Sequence, residues 1–277
     1  IIGDSFSKPF LPTMEYVQER GKTAKQMQNI WQIIHRGGFP ELQNPNADWG
    51  TFYASYVKTY LERDVRSLSA VQNLDDFRKF MVAVAARTGQ MLNYSNIADE
   101  IGRDQGTVKN WISILEASGI IYLLEPYTSA VLKRAIKTPK LYFRDTGLAA
   151  YLTRWLTPET LAVGAMSGAF FETFVISEIL KSYSNSGIDY RYCVSYYRGK
   201  DKKANAESEI DIIIEENGVL YPIEIKQGVK VTADETSAFT VLDKLENKKR
   251  GTGAIICMCP QPGALRKNVL QIPLWYI

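Results

Sequence analysis

Glu209-Ile210-Asp211-Ile212-Ile213-Ile214, then Asn217-Gly218, then Val219-Leu220-Tyr221-Pro222-Ile223-Glu224-Ile225-Lys226 is the stretch that decides how this chain reads. Two β-rich runs joined by Asn-Gly predict a hairpin, because both central residues of its two-residue turn need φ > 0. With Glu216 facing Val219, Asp211 falls opposite Glu224 and Glu209 opposite Lys226, and the two-residue strand period puts all four on one face. Carboxylates facing each other across a ladder repel, so a purely structural hairpin has no reason to pair Asp211 with Glu224. A divalent cation removes that penalty, and hard oxygen ligands suit Mg²⁺ or Mn²⁺, which commonly takes one or two carboxylates, water and a substrate phosphate. Lys226 then points at the same place, where an ammonium can act on a metal-bound water or stabilise charge on a phosphorane-like transition state. The bland alternative is a solvated hairpin face of mixed charge, in which Glu209 and Lys226 form an ordinary salt bridge.

Upstream, Gly168 to Lys181 reads as a helix whose arc of Phe171, Val175, Ile176, Ile179 and Leu180 carries Glu172 near its centre. A carboxylate on an apolar face needs a partner, and a metal or Lys226 would serve. Glu178, at the edge of the arc, reads as solvated.

Phe77 to Arg144 reads as three helices followed by strands, the order of a winged helix. Asn96 to Ile101 forms one helix, with Ser95 as the expected N-cap and Gly102 as its stop, and a polar turn begins at Arg103. A second helix starts at Thr107, with Val108, Trp111, Ile112 and Leu115 on one face, Lys109, Asn110 and Ser113 off it, and Gly119 ending it. Ile120 to Leu124 and Leu141 to Phe143 are the expected wing strands. From Pro126 to Arg144 there is no acidic residue, while Lys133, Arg134, Lys137, Lys140 and Arg144 are cationic. Together with Arg103 and Lys109 these are the candidate phosphate contacts. Helix-turn-helix folds also dock proteins or act as spacers, and that reading stays open beside nucleic-acid binding.

The 277 residues, 45% hydrophobic and 23% charged, have globular composition and the length of about two domains. A net charge of +3 does not by itself require a polyanion partner, and a single histidine, His35, excludes multi-histidine zinc centres. Cys193, Cys257 and Cys259 lack zinc spacing and read as reduced thiols. No apolar run reaches the ~18 residues of a membrane span, so a cytoplasmic protein without membrane contact is expected. The first residue, Ile1, fits a piece or processed product of something longer. Residues 11 to 72 read as helices, with Thr23 to His35 and Trp49 to Leu68 the helical runs and Arg36-Gly37-Gly38-Phe39-Pro40 the break. Gly21-Lys22-Thr23 imitates the end of a phosphate-binding loop, but Tyr16 stands where that loop needs glycine, so no ATP site is expected in this chain.

Glu172 on a helix, then Asp211, then Glu224-Ile225-Lys226, resembles the signature of the PD-(D/E)XK restriction-endonuclease-like nucleases, with Ile210 replacing the proline before the aspartate. The resemblance implies metal-site carboxylates at Glu172, Asp211 and Glu224 and a catalytic lysine at Lys226, with Gln227 extending the motif. The whole chain also resembles the C-terminal two-thirds of a family of prokaryotic AAA-type ATPases that end in a conserved domain of unknown function. The matching stretches are Arg36 to Glu41, Tyr60 to Val65, Pro139 to Leu148, Phe171 to Val175 and the hairpin. This second resemblance implies a helical lid remnant at 1–72, a winged helix at 73–145 and a nuclease-like α/β domain with a mixed central sheet at 146–277. It also implies that ATP binding, and oligomers built through the ATPase core, belong to the intact protein. The function expected is Mg²⁺- or Mn²⁺-dependent phosphodiester hydrolysis on nucleic acid, with DNA as the expected form. The alternative is a catalytically inactive nuclease-fold module that binds DNA or a protein while the ATPase supplies the activity.

Overall fold

The computed structural model describes residues 7–27, 29–60, 65, 73–128, 137–201 and 206–277. The fold is mixed α/β and packs into two compact units that interleave in sequence. One takes 1–28, 124–139 and 175–277, and the other 29–123 and 140–174. Within the first unit, Tyr127 N donates to Tyr196 O (2.6 Å) and Tyr196 N to Glu125 O (3.1 Å).

Before the first unit boundary lies α1 (Met14–Arg20), whose N-cap Thr13 accepts from Tyr16 N. The second unit begins with α2 (Ile30–Arg36) and α3 (Trp49–Thr59). The expected Thr23–His35 helix is therefore shorter, and the expected run from Tyr60 to Leu68 lies largely outside the described residues. Between α2 and α3, Gly37 takes φ +82°, and a Cβ there would stand 2.3 Å from the Tyr53 hydroxyl, so only glycine fits. The carboxylate of Asp145 organises this corner, accepting from Gly38 N (2.7 Å), Tyr53 Oη (2.6 Å) and Leu148 N (2.7 Å). In doing so it N-caps α7 (Thr146–Leu152). His35 Nε2 meets the Trp155 carbonyl at 2.8 Å, just before α8 (Pro158–Val163).

The same unit holds α4 (Leu74–Ala85), the short strand β1 (Gln90–Met91), α5 (Tyr94–Ile101), α6 (Gln105–Ala117), β2 (Ile121–Leu124) and β3 (Lys140–Phe143). This is the element order expected of a winged helix, with three strands in the order β1-β3-β2 and β1 antiparallel to β3. Trp111 on α6 packs edge-on against Phe77 and Phe80 of α4, at 5.2 and 5.3 Å between centroids. That aromatic cluster packs α6 onto α4 from within. The caps differ from expectation by one or two residues. Asn93, not Ser95, caps α5 through Asn96 N, and Asp104 caps α6 through Thr107 N, so α6 starts two residues earlier than Thr107.

The long helix α9 (Ser167–Asn185) passes from this unit into the other. There a seven-stranded mixed sheet is built from β4 (Val194–Asp201), β5 (Ala206–Glu216), β6 (Val219–Ile225), β7 (Lys249–Arg250), β8 (Gly253–Cys257), β9 (Gly263–Arg266) and β10 (Val269–Pro273). The path is β4-β5-β6-β8-β10-β9, with β7 beside β6. β4, β5 and β6 run antiparallel, whereas β6 and β10 both lie parallel to β8. Ile212, Ile213 and Ile214 are all fully buried, so the sheet is covered on both faces. One cover is the 3-10 stretch Ala233–Lys244, which sets Phe239 and Leu242 against Tyr197, Ile210, Ile213 and Leu220. All three cysteines are free thiols, Cys257 and Cys259 being buried.

Candidate functional site

The β5–β6 hairpin carries the densest chemistry. Its turn residues Asn217 and Gly218 take φ +50° and +78°, as the Asn-Gly pair requires. The ladder runs from Glu216–Val219 to Ile212–Ile223 in the expected register. The regular pairing ends there, one rung before Asp211 and Glu224. The side chain of Asp211 takes over: its Oδ2 accepts from Ile225 N at 2.9 Å. From Ile223 to Ile225 the other edge of β6 pairs with Ala254 to Ile256 of β8. The backbone of the Glu224 region is therefore held by β8 on one side and by a carboxylate on the other.

Asp211 and Glu224 are each only 9% exposed. Lys226 Nζ donates to Glu224 Oε1 at 2.6 Å. Burial pulls the Lys226 pKa down, but the hydrogen bond and charge of Glu224, with Asp211 and Glu235 adding to them, outweigh burial and raise it above the ordinary lysine value. Glu224 thus holds the ammonium directly, and Asp211 adds to the negative field around it. Glu209, expected opposite Lys226, instead pairs with Arg198 of β4 at 3.5 Å, because β4 lies along that side of β5.

Glu235, which the sequence reading missed, adds an electrostatic pull on Lys226. It sits in the first turn of the 3-10 stretch, where its Oε2 accepts from Thr232 N at 2.6 Å in a capping box. Thr232 followed three residues later by Glu235 is the pattern that could have revealed it. Its charge is felt by Lys226 and also by Cys257 at the end of β8.

In the other unit, Glu172 of α9 lies against β3. Its Oε1 accepts from Tyr142 Oη at 2.6 Å and from Lys140 Nζ at 3.1 Å. The apolar arc is real, with Phe171, Val175, Ile176, Ile179 and Leu180 all buried. The partners that serve the carboxylate here are a lysine and a tyrosine two residues apart on one strand face. Lys140, expected among the phosphate-contacting cations, is 3% exposed and committed to Glu172, so it presents no ammonium to a phosphate.

Of the other basic candidates, Arg103 is ion-paired with Asp76, Lys109 lies over the Tyr94 ring at 5.6 Å, and Lys137 is exposed. Lys133 and Arg134 lie outside the described residues. The open face of α6 presents Gln105, Lys109, Asn110 and Ser113.

Among the described residues, no group of three or more His, Cys, Asp or Glu side chains is gathered as a metal cage. Asp211 and Glu224 fit a cation that draws its remaining ligands from water and a bound phosphate, as Mg²⁺ does. No helix among the described residues is long and apolar enough to cross a membrane.

Residues 27–159 match the model of one domain of unknown function, DUF8612, and residues 167–277 match that of another, DUF4143. An uncharacterized protein of Mycobacterium tuberculosis, Rv2008c, and one of Mycobacterium bovis, Mb2031c, are each 26% identical to the chain over 194 residues. That alignment takes in 69% of the chain and 42% of each relative, so the chain spans about two fifths of the length of the curated relatives it matches. In sequence, then, the chain is similar to two domains of unknown function in tandem, the second of which carries the Asp211, Glu224 and Lys226 cluster.

Proposed function

We propose that this chain acts on nucleic acid, hydrolysing phosphodiester bonds with a divalent cation at the β5–β6 hairpin. The observation that carries the reading is two carboxylates, Asp211 and Glu224, both 9% exposed on neighbouring strands, with Lys226 2.6 Å from one of them. Structural strands do not gain by burying two acids against one ammonium, whereas a phosphoryl-transfer site needs that arrangement. Asp211 and Glu224 would hold Mg²⁺ or Mn²⁺, which supplies a polarised phosphate and a more acidic water when bound. The Ile225 N–H fixes the orientation of the Asp211 carboxylate. Lys226 holds a positive charge where negative charge develops on the scissile phosphate. Glu172, bonded to Lys140 and Tyr142, supports α9 and β3 in this reading.

The winged-helix unit would bind DNA through the open face of α6, with Lys109 as an exposed cation. ATP, and assembly through an ATPase core, belong in this reading to the longer intact protein.

The second reading is a nuclease fold without catalysis that binds DNA or a protein. It is favoured by the small number of metal-capable side chains gathered at the hairpin and by the loss of Arg103 and Lys140 to internal ion pairs. Cleavage of single- and double-stranded DNA in Mg²⁺ or Mn²⁺, by the chain and its Lys226→Ala variant, separates the two. Activity lost in the variant supports hydrolysis. No cleavage together with no Mn²⁺ binding leaves the non-catalytic module.

A further inference from the structure

The strand β8 ends in Cys257, and Cys259 follows two residues later, at the next position on the same side of the chain. We propose that Cys257 and Cys259 are a reversible redox pair, two thiols that hydrogen peroxide converts into a disulfide within the chain.

Packing brings the sulfurs together. Ile255, Cys257 and Cys259 form one buried apolar cluster with Val231 and Leu265 packed against it, and the two cysteines are 0% and 1% exposed. Two residues apart on a fully extended strand, their Cα atoms would stand about 6.6 Å apart, at the upper edge of what a disulfide spans. The chain bends at Met258, whose N–H donates to Gly228 O at 3.1 Å, and the bend shortens that separation. The Cys259 thiol donates a hydrogen bond to the Cys257 sulfur, which lowers the Cys257 pKa below the ordinary thiol value and pushes that of Cys259 up. Cys257 is therefore the attacking sulfur and Cys259 the one that resolves it. A single buried cysteine is a small apolar side chain, whereas this one has a second sulfur within reach.

The cover selects the oxidant. Val231 and Leu265 are half-buried, and Leu265 lies on β9, the strand at one end of the sheet. Sulfurs one side chain beneath an edge strand are reached by a small peroxide when that strand opens locally. The Cys257 thiolate attacks one peroxide oxygen, the O–O bond breaks, and the hydroxide that leaves takes up the Cys257 proton as water, leaving a sulfenic acid. The Cys259 sulfur then attacks the Cys257 sulfur, the S–O bond breaks, and a second water leaves with the Cys259 proton. Two thiols are oxidised and one peroxide is reduced to two waters. A loop with one residue between its cysteines gains little from closure, so the bridge reopens with a thiol reductant.

The test treats the reduced, folded full chain with an equimolar amount of hydrogen peroxide, then unfolds it in an alkylating agent and maps the tryptic peptides by mass spectrometry. The expected result is alkylation of Cys193 alone, with the peptide Gly251 to Arg266 lighter by two hydrogens, and return of all three free thiols after a reductant. Oxidation of Met258 adds an oxygen and is distinguished by mass. In Cys259→Ser, Cys257 should stop at a sulfenic acid that dimedone traps; in Cys257→Ser, Cys259 should stay a thiol. Alanine replaces serine in either variant that circular dichroism shows to be unfolded. Alkylation of both Cys257 and Cys259 in the treated parent overturns the proposal and leaves them as packing residues. A bridge to Cys193 or to a second chain, or a sulfinic acid on Cys257 without a bridge, overturns it as well.

Discussion

Replacing Asp211 by asparagine separates what this carboxylate does for the fold from what it does for the site. In the structure its Oδ2 accepts from Ile225 N at 2.9 Å, in a corner where Asp211 and Glu224 are both 9% exposed. Asparagine keeps an oxygen for that N–H and removes the charge. The loss is the difference between a charge-assisted and a neutral hydrogen bond, about 0.5–1 kcal/mol, plus a partly screened attraction to Lys226 of roughly 0.5 kcal/mol. Against it stand relief of repulsion from Glu224, about 0.5–1 kcal/mol, and a smaller desolvation cost, on the order of 1–2 kcal/mol.

The expected outcome is a variant as stable as the parent or up to about 2 kcal/mol more stable, with no Mn²⁺ binding. Asp211→Ala is the control. It leaves Ile225 N–H without its acceptor and should fall below the asparagine variant by about 1–3 kcal/mol. Urea denaturation followed by far-UV circular dichroism reads both, provided the slopes match. If asparagine costs more than about 1 kcal/mol, the carboxylate is a net structural asset. The hairpin would then hold its second acid for stability and not for chemistry.

Two further predictions concern the other unit. His35 is the chain's one histidine, and burial lowers its pKa below the usual 6.5, against the opposing pull of the Trp155 carbonyl. A depressed histidine contributes stability that is present above the unfolded value and is lost as pH falls from about 6.5 through the folded pKa. The single imidazole resonance should therefore titrate below the free value in an NMR pH series, and the stability loss between about pH 6.5 and 5 should shrink in His35→Asn; a resonance titrating at or above the free value sinks this. Asp145→Ala strips an acceptor from Gly38 N, Leu148 N and the Tyr53 hydroxyl at once, and should cost about 3–5 kcal/mol in urea denaturation. Tyr53→Phe should cost less, about 1–2 kcal/mol, and the double variant little more than Asp145→Ala alone.

What could be read from the sequence was whatever one element determines by itself. The Asn217-Gly218 turn sets the hairpin register through a purely local requirement for positive φ, and the buried faces of α6 and α9 follow from helical period. Helix starts were less legible, because Asn93 and Ser95, two residues apart, both have cap chemistry and only the bond to Asn96 N chooses between them. Contacts between elements were not legible at all. Glu172 showed a need for a partner but not its identity, since Lys140 and Tyr142 stand 32 and 30 residues away and reach it only once β3 lies beside α9. The Arg36 to Glu41 and Pro139 to Leu148 stretches stood out separately, yet nothing in either announced that Asp145 would bond Gly38 across 107 residues. Glu235 completes the pattern: its capping box is a local signal, while its electrostatic pull on Lys226 depends on where the chain lands after β6. A site assembled from distant segments is therefore underdetermined by the motif that betrays it. The fold adds what the motif does not announce, here the Ile225 N–H that takes one oxygen of Asp211.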